Sequence, residues 1–120
     1  MTSGCGGNST TQTAPSTTAK APETWSGVVA PGGASSRSFT VNAAGTITVT
    51  MTGAGATVGL GVGLPRTTGG GCRLGVAVNA SASSTPQITT QADAGQYCVQ
   101  VFDLGTLTDP VPFAMTIDHP

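Results

Sequence analysis

From residue 46 to residue 52 the chain reads Thr-Ile-Thr-Val-Thr-Met-Thr, a strict alternation of apolar and hydroxyl side chains. A period of two places Ile47, Val49 and Met51 on one face and the threonines on the other, which dictates a half-buried β-strand. The same rhythm recurs along the chain. It covers residues 25–30, residues 37–42 with Phe39 and Val41, residues 58–64 with Val58, Leu60, Val62 and Leu64, and residues 72–79 with Cys72, Leu74, Val76 and Val78. A weaker run around Ile88 spans 87–91, Tyr97, Val99 and Val101 share a face over 96–103, and Phe113, Met115 and Ile117 close the series. Pro31-Gly32-Gly33, Ala43-Ala44-Gly45, residues 65–71, a serine-rich stretch before Gln87, and residues 105–110 separate these runs as turns.

The predicted fold is therefore all-β, with about eight strands at the 8–12-residue spacing of a sandwich or barrel. Two stacked antiparallel sheets, a β-sandwich, suit the pattern better than an open barrel, because nearly every strand has one apolar and one Thr/Ser/Gly face. In residues 57–63 glycines 59, 61 and 63 stand where outward side chains would be, which signals either close packing or a thin exposed edge.

Residues 1–22 offer almost nothing to a core and read as a flexible Ser/Thr/Gly/Pro tether, which leaves residues 23–120 as the folded domain. Charged residues make up only 8% of the chain and the net charge is −1, with Arg37, Arg66 and Arg73 dispersed. Binding to nucleic acid or to an anionic bilayer needs clustered cations, so neither is expected as a partner. The chain holds no apolar run long enough to span a bilayer, which leaves a lipid anchor as its expected link to a membrane.

Of the three cysteines, Cys72 and Cys98 fall in the domain and Cys5 in the tether. A Cys72–Cys98 disulfide, worth roughly 3 kcal/mol by chain entropy, leaves Cys5 for separate use. Against the bridge, Cys72 is in phase with the apolar side of its strand whereas Cys98 is out of phase with Tyr97 and Val99. A bulge, or a bridge near a strand end, would reconcile them; two independent buried thiols are the alternative. Ser3-Gly4-Cys5-Gly6-Gly7 resembles the end of a bacterial lipoprotein signal, with Thr2 where that motif has leucine and without its charged and apolar regions. The resemblance implies lipidation at Cys5, and an exported protein that is held at the outer membrane or cell surface, or is periplasmic or secreted.

No constellation supports catalysis. The lone His119 is next to the last residue, where a solvated, frayed side chain is expected, and the acidic residues show no paired spacing. Asp93, Asp103 and Asp109 lie in or beside turns and are weak calcium candidates; capping of those turns is the favoured reading, and no cofactor is otherwise expected. Asp93-Ala94-Gly95-Gln96-Tyr97 has the makings of a tyrosine corner, which assigns Tyr97 a structural role.

From Glu23 onward the chain resembles the bacterial pre-peptidase C-terminal domain family. The resemblance rests on the order of Trp25-Ser26-Gly27, Ser38-Phe39-Thr40-Val41, Gly45 to Thr50, Val58-Gly59-Leu60, Ala94 to Gly105 and Phe113 to Pro120. It implies a jelly-roll-like sandwich associated with secretion, attachment and sometimes calcium. The expected function is a non-catalytic surface or periplasmic module that binds a glycan or a protein, for which the Thr/Ser/Gly faces, Trp25 and Phe102 are contact candidates. The alternative is a structural or assembly accessory of another exported protein.

Overall fold

The computed structural model describes residues 22–68 and 70–120. Eight strands occur in order: β1 (Glu23–Val29), β2 (Ala34–Val41), β3 (Gly45–Ala54), β4 (Val58–Pro65), β5 (Cys72–Ala80), β6 (Ile88–Ala92), β7 (Gly95–Phe102) and β8 (Val111–Asp118). Each coincides with an alternating run of the sequence to within a few residues. No helix occurs among the described residues.

The strands form two antiparallel sheets of four, in the orders β1-β8-β3-β6 and β2-β7-β4-β5. Apart from the β4–β5 hairpin, every connection carries the chain from one sheet to the other. That winding is the jelly roll, and it sets aside the open barrel. The first and last strands are neighbours, with Glu23 opposite Ile117 and Val29 opposite Val111.

The inward residues fuse into one core. Val29, Ile47, Val49, Met51, Val58, Leu60, Val99, Val101 and Ile117 are completely excluded from solvent. Burial at about 25 cal/mol per Å² of apolar surface is the main term holding the sheets together. Trp25 points inward, edge-on to Phe113 at 4.8 Å between ring centroids. Gly27 is small because the Phe113 ring occupies the place of a side chain there, 3.1 Å from where a Cβ would stand.

Two irregularities interrupt the ladders. β3 slips register against β8 between Met51 and Gly53. On the other side of β3, beyond the end of β6, the Gln87 side chain extends the pairing: its Oε1 accepts from Met51 N–H at 2.7 Å, and its Nε2 donates to the carbonyls of Met51 and Ser81. β4 slips against β5 between Val62 and Gly63, so that Val62 faces Val76 but Gly63 faces Leu74. Gly75 is the extra residue, and every β5 residue before it changes face.

Candidate functional site

The bulge at Gly75 settles the phase of the cysteines. Once β5 has slipped past Gly75, Cys72 turns from the core side to the outer side of its sheet, where Cys98 already faces. The two are bonded, with Cα atoms 5.9 Å apart, and both are buried. Cys98 pairs in register with Gly63 and Cys72 with Pro65, so the bridge passes over β4 and joins the strands on either side of it. The glycines of β4 are what let this happen. A side chain at Gly63 would strike the Arg73 carbonyl, one at Gly61 the Leu74 methyls, and one at Gly59 the Phe102 ring. The glycine face is therefore closely packed rather than a thin edge, and the Phe102 ring lies across it at Gly59.

The turn residues are equally committed. Tyr97 Oη donates to the Asp93 carbonyl at 2.9 Å, which makes the tyrosine corner. Asp103 Oδ2 accepts from Gly32 N–H at 2.7 Å, while Oδ1 accepts from the N–H groups of Gly105, Thr106 and Leu107 at 2.8, 3.0 and 3.1 Å. The Gly32 N–H is the chief reason its carboxyl is held below the ordinary value, with burial opposing and the other three N–H groups adding. Four donors tie the β1–β2 turn to the β7–β8 loop and occupy the oxygens a cation would use. Asp93 sits at the opposite end of β7, roughly 25 Å away along an eight-residue strand. The calcium candidates Asp93, Asp103 and Asp109 thus do not converge, and among the described residues no group of three or more His, Cys, Asp or Glu side chains could hold a metal ion.

His119 departs from expectation: its side chain is only 1% exposed. Nε2 lies 2.6 Å from Glu23 Oε2, and Arg37 Nη2 donates to the other Glu23 oxygen at 3.1 Å. Nδ1 is 3.1 Å from the Pro120 oxygen, which also accepts the Asn42 N–H. The ring lies against Phe39 at 4.9 Å, and Tyr97 stacks on Phe39 in turn. The hydrogen bond from His119 is the first cause holding the Glu23 carboxyl below its ordinary 4.5, ahead of burial, which opposes it, and of the Arg37 bond. A carboxylate–histidine pair can serve as a general base for a thiol, but the two cysteines among the described residues are bonded to each other. The pair clamps the start of β1 to the end of β8. Local reasoning missed it because the partners lie 96 positions apart.

Several concave features remain on the described residues, among them a groove and a cleft. Where the sheets part between the β5 and β6 edges lies a groove of about 420 Å³, with Ile47, Val62, Val76 and Tyr97 below and Thr90 and Gln91 at the rim. No charged residue is among those that line it, and Gly63 and Gly75 contribute to its wall. The second feature is a cleft at the β4–β5 tip, lined by Leu64, Pro65, Arg66, Thr67, Thr68 and Arg73. Cys5 lies outside the described residues. No protein-family model and no curated protein matches this chain.

Proposed function

We propose that this chain is a non-catalytic jelly-roll module of an exported bacterial protein, related to pre-peptidase C-terminal domains and lipid-anchored through Cys5, that attaches to a neutral glycan in the groove between β5 and β6. The observation that carries the reading is the composition of that groove. An apolar floor with one aromatic ring, the Thr90 hydroxyl at the rim and an uncharged lining together suit a sugar ring, whose faces are apolar and whose edges hydrogen-bond. Export is supported by the Cys72–Cys98 bridge, since disulfides persist in oxidising compartments. The absence of catalysis is supported by the commitment of Cys72, Cys98, His119 and Asp103 to the fold.

The assembly alternative keeps one observation of its own: among the described residues, the outer edges of β5 and β6 beside the groove have no partner strand. Retention of the protein on purified cell-wall polysaccharide separates the two. Binding that Thr90→Trp abolishes by filling the groove supports the glycan. No retention on any polymer, together with copurification of a stable protein partner, overturns it. The intact mass of the protein expressed from its native gene tests the anchor: acyl chains on Cys5 are expected, and an unmodified Cys5 would remove it.

A further inference from the structure

The sequence scatters its arginines, but the β4–β5 hairpin brings two of them together. Arg73 stands opposite Leu64 in the ladder, and Arg66 closes the tip by donating its N–H to the Gly71 carbonyl at 3.2 Å. Both line the one cleft, of about 550 Å³, with Thr67 and Thr68 between them. Arg37 is committed to Glu23, whereas among the described residues Arg66 and Arg73 make no ion pair. No carboxylate is among the residues that line the cleft. Two arginines on one cleft without a carboxylate favour an anion there, and the planar fork of a guanidinium matches the paired oxygens of a phosphate.

The support beneath is rigid. Cys72, next to Arg73, is bonded to Cys98, and the Arg73 carbonyl is seated over Gly63. A phosphate fills only part of the cleft, and the remainder is walled by Pro65 and by Leu64, which is 53% exposed. Two cations are too few for a nucleic-acid track.

We infer that the β4–β5 tip is a binding site for a single phosphate group, held by Arg66 and Arg73 with Thr67 and Thr68, whose carrier rests on Leu64 and Pro65. The site adjoins the groove, with which it shares Leu64, but does not depend on the glycan reading.

Titration of the ¹⁵N-labelled full chain with inorganic phosphate tests this. Saturable shifts confined to the amides of residues 66–68 and 73 are expected, with a dissociation constant on the order of millimolar. Arg66→Gln and Arg73→Gln should each weaken binding roughly tenfold, Arg66→Lys should weaken it less, and Arg37→Gln should leave it unchanged. Thr90→Trp should leave it unchanged as well, which separates this site from the glycan groove. Near-ultraviolet circular dichroism verifies the fold of each variant. Phosphate shifts that fail to saturate, equal weakening by Arg37→Gln, or acetate binding as tightly as phosphate would each overturn the assignment. Vesicles of phosphatidylglycerol, set against vesicles of phosphatidylcholine, identify the source. Binding that Arg66→Gln abolishes marks a lipid headgroup; saturation by inorganic phosphate with no vesicle binding marks a soluble or polymer-borne phosphate.

Discussion

Strands β3 and β4 share one rhythm in sequence and differ in what covers them. In β3 the residues between the apolar ones are threonines, and they face out over the β1-β8-β3-β6 sheet. In β4 they are glycines, and that face is buried beneath Phe102, Leu74, the Arg73 backbone and the Cys72–Cys98 bridge. A threonine face is finished as soon as the strand forms, because its hydroxyls are content in water. A glycine face leaves bare backbone that a second layer can approach, and here the neighbouring strands supply that layer. The same alternation thus marks a two-layered region in one sheet and a three-layered one in the other.

The largest effect should come from cutting the outer layer. Replacing Cys72 and Cys98 with serine removes a cross-link across 26 positions and should cost roughly 3 to 4 kcal/mol, read from urea denaturation. If the loss is small, the layer over β4 is not what fixes that sheet. Gly63→Ala sets a Cβ against the Arg73 carbonyl, a backbone group with little room to yield, and should cost about 3 kcal/mol. Gly59→Ala meets only the Phe102 ring, which can swing aside, and about 1 to 2 kcal/mol is expected; shortening Phe102 to leucine should restore part of it in a double-mutant cycle.

An acid-sensitive effect belongs to the other sheet. The Glu23 carboxyl is held below 4.5 in the folded state, so its contribution is complete above that value and is lost as pH falls through the lower folded value. Glu23→Gln should therefore be less stable than the parent at neutral pH, with the gap closing on acidification; a gap independent of pH would mean that the His119 clamp acts through shape rather than charge. At the small end, Thr50→Val on the open face of β3 should change stability by no more than about 0.5 kcal/mol. A cost comparable to that of Gly63→Ala would erase the distinction between the two strands.

All eight strands were legible because each depends on neighbours in sequence: alternation, and turn residues at the ends. The tyrosine corner was legible for the same reason, Tyr97 and Asp93 being four positions apart. What escaped depends on register. The phase conflict at Cys98 could be seen, but the bulge at Gly75 that resolves it is fixed only when β5 lies beside β4. His119 resembled a loose end until Glu23 and Phe39 arrived from distant strands. Arg66 and Arg73 looked scattered on a line and became neighbours across a hairpin.

The pairing of the first strand with the last has a mechanical meaning. Glu23 and Ile117 sit side by side in antiparallel register, so a pull applied at those two points loads the β1–β8 ladder end-on. Its hydrogen bonds then open one after another from that end, as a zipper does, and never resist together in shear. The first barrier to such a pull is the Arg37–Glu23–His119 clamp, and the loop closed by Cys72 and Cys98 limits how far the chain can lengthen once the sheets have parted. A module held at one end and loaded through its groove avoids that path, since the force crosses the sheets instead of running along their seam.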